Sequence, residues 1–492
     1  SYVSAVIALN RIGAVSVPLG IAGSVELHRR AISLAGAQHL ITDPETARYG
    51  KALGATELLL LGGGGVRPAV PEGALDLEPL AAEADCSSTG LESQHTEGDE
   101  LAMLLVAGGA GEQARLARIS NQRWAFSALG GATLAALTEL DTVYCCTGLD
   151  HTTGIMVALG SALAGGARHA LAQRCDAATF WHEIRQCGAT VVFYSGEMGR
   201  ELLNTAPSTA VQKHPIRLLC GSGMRADTWR KLRNRFGPLG IIETYGSTEG
   251  NALLANVTGV KVGSVGRPVP GSAEVELVRY DFERSDFVRG RAGRLQVCAA
   301  NEPGVLLSRV DSTMPLSLFD GYAEAMPDEQ RLIEGAFRSG DRWFDSQDVL
   351  SRDLAGDYWY LGRLVDFVRT PAGVISMRDV EEALCAVSSV CMAAVWPSEG
   401  APERIVGALS LRRGADLDTE ELGRALAVLE PSVRPVRLTI LNRLPVTGGF
   451  RPLKSLTRMR AEEALEQLVY DRRANRSLRA VTQPRLRKTS SG

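Results

Sequence analysis

The 492-residue chain has no excess of charge of either sign: 53 basic residues face 56 acidic ones, for a formal net charge of −3. Without a field of one sign, a basic nucleic-acid-binding face is excluded as its organising feature. No apolar run reaches the roughly 18 residues that a membrane-crossing helix needs. The first residues, Ser1-Tyr2-Val3-Ser4-Ala5-Val6-Ile7-Ala8-Leu9, read as helix without a charged leader, so no signal peptide is evident, and no initiator Met precedes them. The nine cysteines show no C-x-x-C spacing, and their odd number excludes a complete disulfide framework. Most lie inside apolar runs, which fits small buried thiols in a reducing cytoplasm. No repeat with a period of about 20–50 residues is visible, so solenoids and propellers are set aside.

What is present is a β-α-β rhythm. His39-Leu40-Ile41-Thr42 and Thr56 to Leu61 read as strands, with a helix over Ser24 to Leu34 before them. Later strands are expected at Thr142 to Cys145 and Thr190 to Tyr194, with helices over Gln122 to Ala136 and Ile155 to Leu163. Alternation of this kind predicts an α/β fold with a mostly parallel, doubly wound sheet. The Pro/Gly/Ser/acid-rich stretch 66–100 reads as a surface connection. From about 271 to 350 the pattern turns β-rich, with Ala273 to Val278 and Arg294 to Cys298 alternating at period two. Glu329 to Phe337 reads as helix. A small, mobile α+β domain is expected over 363–470, after a large domain over 1–362. Residues 471–492 read as a disordered solvated tail, which from Arg472 onward carries seven basic residues and no acidic one. The sharper alternative for the tail is peripheral contact with anionic lipid headgroups.

One stretch carries most of the chemistry: Glu243-Thr244-Tyr245-Gly246-Ser247-Thr248-Glu249-Gly250, directly after the apolar Gly240-Ile241-Ile242. Glycines permit close backbone approach, hydroxyls and amides can meet phosphate, and a carboxylate can hold magnesium. A plain turn after a strand fits the same residues. The octet, however, resembles the Tyr-Gly-x-Thr-Glu motif of the adenylate-forming ligases. The run from Gly221 to Gly250 is similar to the fatty-acid-transport-protein and very-long-chain acyl-CoA synthetase branch. The resemblance spans nearly the whole chain. It implies that Ser1 falls inside an early helix of the large domain, either because the record is truncated or because the protein is shortened.

The resemblance assigns roles position by position. Gly221, Ser222 and Gly223 would touch adenine, and Tyr245, Gly246 and Ser247 would line the nucleotide. Thr248 would meet the α-phosphate and Glu249 would hold Mg²⁺. Asp348 and Arg363 would bind ribose hydroxyls, a task suited to bidentate groups. His151, in Thr147-Gly148-Leu149-Asp150-His151-Thr152-Thr153-Gly154, would line the carboxylate entrance. Two motifs depart from the pattern. Val106-Ala107-Gly108-Gly109-Ala110-Gly111-Glu112-Gln113-Ala114 keeps Gly108 and Gly111 of the pyrophosphate loop but none of its hydroxyls. Its lysine position is Ala114, with Arg115 next to it as a replacement cation. In Thr447-Gly448-Gly449-Phe450-Arg451 the catalytic lysine position is Arg451, a planar fork in place of a compact ammonium. Thr370 to Ser376 also replaces the loop that serves thiolation. The implied reaction takes ATP and a long-chain fatty acid to acyl-AMP and then to acyl-CoA. With both departures in the first half-reaction, weak or absent turnover is expected. The alternative is a protein that binds nucleotide or an acyl chain without turning it over.

Overall fold

A computed structural model describes residues 2–20, 23–62, 69–84, 96–107, 115–203, 213–324, 331–370, 373–399, 401–447, 450–463, 466–470 and 478–482. Its centre is a seven-stranded sheet. In spatial order the strands are Arg267–Pro268, Leu254–Asn256, Gly240–Tyr245, Leu218–Ser222, Val191–Ser195, Thr142–Cys145 and Arg168–Leu171. The last five pair in parallel and the first two close one edge antiparallel. Every residue of Val191–Ser195 is buried, which is why this strand reads as a continuous apolar run rather than an alternation. Helices Phe180–Cys187 and Ala226–Phe236 cover one face through Phe180, Trp181, Ile184, Trp229 and Leu232. The expected helix before Leu163 is a π-helical turn, Thr153–Leu159, running into Gly160–Ala164.

Two smaller sheets precede the central one. Leu101–Ala107 and Arg115–Ser120 form an antiparallel pair, and His39–Thr42, Glu57–Leu60 and Ala74–Asp76 form a parallel trio. The stretch expected as a plain connection therefore contributes a strand, followed by the helix Leu77–Glu83 capped by Asp76.

The β-rich part is an antiparallel sheet of Val275–Val278, Gly304–Arg309, Arg342–Arg352, Leu332–Glu334 and Tyr358–Arg363. Of the described residues in the helix expected at 329–337, Arg331 is helical and the stretch from Leu332 on is not. Leu332–Glu334 pairs with Arg342–Phe344 instead. Gly335 and Gly340, at φ +64° and +79°, make the return, and the Asp341 carboxylate accepts from the N–H groups of Phe337 and Arg338. A left-handed glycine stops a helix at this point. The strand expected at Arg294 to Cys298 is reduced to isolated bridges at Leu295 and Val297.

Beyond Arg363, helices Met377–Ala386 and Thr419–Ala427 pack on a sheet of Val390–Ser398, Ala401–Leu411, Arg437–Leu441, Glu466–Tyr470 and Leu478–Thr482. The last strand corrects the expectation of a wholly disordered tail. Leu478–Thr482, which ends in β-branched Val481 and Thr482, extends this sheet antiparallel to Glu466–Tyr470. Residues 471–477 and 483–492, with most of the tail's charge, lie outside the described residues. Among the described residues no helix is long and apolar enough to cross a membrane.

Candidate active site

The site forms where the parallel strands end. Glu243 stands opposite Gly221 in register, and the Thr244 hydroxyl donates to the Gly221 carbonyl at 2.9 Å. Only glycine fits at 221, because a Cβ there would lie 2.0 Å from the Tyr194 carbonyl oxygen. Gly223 takes φ +93°, and its N–H donates to Glu243 Oε1 at 2.6 Å, joined by the Met224 N–H at 3.1 Å. The Tyr194 hydroxyl donates to the other Glu243 oxygen. Burial pushes the Glu243 carboxyl up to about 8 against these donors. Glu243 thus organises the Gly221-Ser222-Gly223 turn from beneath.

The octet loop is closed by its own residues and by one distant arginine. Ser247 Oγ accepts from the Gly250 N–H at 2.8 Å, an internal turn bond. Arg123 donates to the carbonyls of Thr248, Glu249 and Gly250 at 2.7, 3.1 and 2.5 Å. Thr248 Oγ1 lies 2.7 Å from Thr152 Oγ1, which ties the octet to the segment that carries His151. His151 Nδ1 accepts from the Thr153 N–H at 3.2 Å. Burial first, then the charge of Arg451, lowers the imidazole to about 4. A neutral ring that accepts at Nδ1 carries its proton on Nε2, which leaves that nitrogen as a donor.

Asp348 is the meeting point. It pairs with Arg363 across the antiparallel register, accepts from Tyr245 Oη at 2.7 Å and lies 3.3 Å from Tyr360 Oη. Gln347, at φ +57°, makes the kink that aims it. Burial raises the Asp348 carboxyl, while Arg363, the Tyr245 hydroxyl and Arg451 pull it back. The Arg451 carbonyl accepts from the Thr447 N–H at 2.8 Å. Phe450, at φ +56°, buries its ring in the core beside the central sheet, and its carbonyl accepts from the Glu197 N–H at 3.1 Å. The charge of Arg451 acts on both His151 and Asp348.

Glu249 is occupied differently from the expectation. Its Oε1 lies 3.8 Å from Arg331 Nη2, and both side chains are 11% exposed. Arg331 is itself fixed, donating to the carbonyls of Asp345 at 2.8 Å and Ser346 at 3.2 Å, and stacking 4.9 Å over Phe344. A lone carboxylate suits magnesium chemically. The neighbouring guanidinium does not: unit charges about 4 Å apart interact by about 4 kcal/mol at a near-surface dielectric, and a dication doubles the repulsion. The residues present therefore do not fit Glu249 as a dedicated magnesium ligand. Among the described residues no cluster of three or more His, Cys, Asp or Glu could hold a metal ion.

Of the residues expected from the sequence, Gly221 and Gly223 meet Glu243, Thr248 meets Thr152 next to His151, and Tyr245 and Arg363 meet Asp348, while Arg451 acts on His151 and Asp348 through its charge. Gly108, Gly111 and Ala114 lie outside the described residues. Arg115, considered as a replacement cation, stacks over the Tyr322 ring at 5.3 Å. Arg123, Arg331, Tyr360 and Thr152 were not anticipated. Nothing local marks the two arginines, since Arg123 meets carbonyls more than 120 positions away and Arg331 lies outside every motif.

The profile described as AMP-binding enzyme matches residues 1–313. The chain belongs to the AMP-binding enzymes. Among curated relatives, this AMP-binding chain is similar to Medium/long-chain-fatty-acid–CoA ligase FadD6 of Mycobacterium tuberculosis, at 31% identity over 386 residues, 77% of the chain and 63% of the relative. It is 30% identical to human Long-chain fatty acid transport protein 1 over 404 residues, 80% and 62% of the two chains. With human Long-chain fatty acid transport protein 5 it shares 32% over 330 residues, 66% and 47%. These relatives put it near the fatty-acid-transport-protein branch, and it spans less than two thirds of their length. Among solved structures, it superposes on the anthranilate CoA ligase AuaEII in complex with anthranoyl-AMP with a TM-score of 0.75 at 18% identity, covering 94% and 85% of the chains. ATP-bound MatB from Rhodopseudomonas palustris gives 0.72 at 22% identity, covering 93% and 86%. At these identities the likeness is one of fold, and it agrees with the α/β architecture.

Proposed function

We propose that the cleft binds an adenine nucleotide beside the carboxylate of a long acyl chain, and that its chemistry is that of a fatty acyl-CoA synthetase with weak turnover. The observation that carries this reading is Asp348 held between Tyr245 and Arg363, with the charge of Arg451 acting on both Asp348 and His151. Asp348 and Arg363 present the bidentate groups that two adjacent ribose hydroxyls accept. The Thr248 hydroxyl and Arg451 face the α-phosphate, and the His151 Nε2–H orients the attacking carboxylate. In the first step a carboxylate oxygen forms a bond to the α-phosphorus while the bond to the pyrophosphate oxygen breaks. Charge develops on oxygens throughout, so fixed donors and cations supply most of the stabilisation. A thiol, that of CoA in the relatives' reaction class, then takes the acyl group and releases AMP.

Slow turnover follows from the residues. Arg451 replaces an ammonium with a guanidinium, and the 106–114 stretch has no hydroxyl or lysine for the leaving pyrophosphate. A second reading, binding without turnover, is favoured by Arg331 on Glu249. We also read the part beyond Arg363 as a separate small lobe, on the strength of its own apolar core around Leu384, Leu409 and Leu422. ATP–pyrophosphate exchange with long-chain fatty acids, run beside calorimetry for AMP, separates the readings. Slow but fatty-acid-dependent exchange supports the ligase. AMP binding without exchange supports the binder. No AMP binding overturns both nucleotide readings.

A further inference from the structure

We propose that Arg331 is the nucleotide-binding cation of this site, standing at Glu249 in place of a divalent metal, so that the chain binds ATP with little dependence on Mg²⁺. The inference rests on the nucleotide reading above and adds to it the identity of the positive charge. Three features support it. The guanidinium is fixed by two backbone carbonyls, 345 and 346, and by the Phe344 ring, so its position costs no further ordering when ligand arrives. It pairs with Glu249, the carboxylate at the loop end of the octet, at 3.8 Å. Its partner Glu249 in turn acts on Asp348 and Arg363, the pair read as holding the ribose, so the guanidinium stands beside the nucleotide residues. Its Nε, Nη1 and Nη2 donate to the Asp345 carbonyl, the Gln347 amide oxygen and the Ser346 carbonyl, so a phosphate would meet the remaining N–H groups of the two terminal nitrogens.

The test uses the full chain and titration calorimetry with ATP, in excess EDTA and in millimolar MgCl₂ at matched ionic strength. The expected result is an ATP Kd that changes by less than about fivefold between the two conditions, a difference near the resolution of single contacts. A weakening of about fivefold or more on removing Mg²⁺ overturns the proposal. Arg331→Gln should restore metal dependence to about tenfold or more, and Arg331→Lys, which keeps the charge, should remain within about fivefold. Equal metal dependence in wild type and Arg331→Gln also overturns it. AMP binding, which reports the nucleoside side of the cleft, distinguishes the two levels. If AMP binds and ATP is strongly metal-dependent, only this inference falls; if AMP does not bind, the nucleotide reading falls with it. Circular dichroism of Arg331→Gln checks that the variant is folded, and the wild-type titration decides the proposal without any variant.

Discussion

Burial, and after it the charge of Arg451, holds the His151 imidazole neutral. A preorganised cation at this position is worth most when its charge is compact. Losing one transition-state donor costs about 2.7–4 kcal/mol, or 10²–10³ in rate. Arg451→Lys is therefore expected to raise ATP–pyrophosphate exchange by about tenfold or more, and adding Ala114→Lys to raise it further. An unchanged rate in both variants would count against placing Arg451 at the catalytic position. His151 makes a separate prediction in pH. Its folded pKa is about 4 against an ordinary value of 6.5. As pH falls through that window the unfolded chain binds a proton that the folded chain refuses, so the ring's contribution to stability is complete above 6.5 and is lost towards 4. Thermal unfolding of His151→Gln should lose less midpoint than wild type over that range. Parallel curves would show that His151 is already protonated in the folded chain.

The strand-to-loop element that carries the octet depends on glycine for steric reasons, at a position the motif alone does not rank above its neighbours. A Cβ on residue 221 would meet the Tyr194 carbonyl at 2.0 Å, and the clash is with backbone, which has no rotamer to yield. Gly221→Ala is expected to cost about 3 kcal/mol, the upper end for overpacking. In a chain of this size, unfolding as one unit, that lowers the unfolding midpoint by about 3 °C, or about 1 °C for each kcal/mol. Gly130→Ala, with nothing within 4 Å of its Cβ, is the control. At this scale the sequence was a good guide where one period dominated. Thr142–Cys145 and Gly240–Tyr245 lie where their apolar runs placed them. The stretch 329–337 misled because its apolar residues satisfy a helical spacing, while the deciding signals are single glycines and the Asp341 carboxylate that receives the turn. Arg123 was illegible for another reason. Its partners are backbone carbonyls, which have no residue identity, at a sequence distance that only the folded chain closes.

Across the whole molecule, the lobe beyond Arg363 is seated by buried charge. Arg225, on the central body, donates to Glu197 at 2.8 Å and to Glu381 of the helix Met377–Ala386 at 3.2 Å, with the Arg378 carbonyl also at 3.2 Å. Lys454, just past Arg451, completes the cluster through Glu381 at 3.1 Å and Asp366 at 2.7 Å. None of this shows in the motifs, because each pair joins residues that look like ordinary surface charges in sequence. The consequence is specific: the cluster and the Phe450 anchor sit on either side of Arg451 in the chain, so on the proposed reading activity and the seating of this part depend on the same contacts. Removing one partner of a buried pair costs about 3–5 kcal/mol, since the charge left behind stays out of water. Arg225→Met is therefore expected to destabilise the chain by about 3 kcal/mol. It should also speed trypsin cleavage at Arg363 or Arg369 by about tenfold, the factor that 1.4 kcal/mol of local opening gives. Any fatty-acid-dependent exchange should fall with it while AMP still binds, because Tyr245, Asp348 and the 221–223 turn stay in place when Arg451 withdraws. Raising salt should reproduce little of this, since buried pairs are weakly screened. If Arg225→Met unfolds no faster and trypsin cuts no sooner, the lobe is seated by Phe450 and its apolar contacts instead, and the ionic cluster is a consequence of that packing.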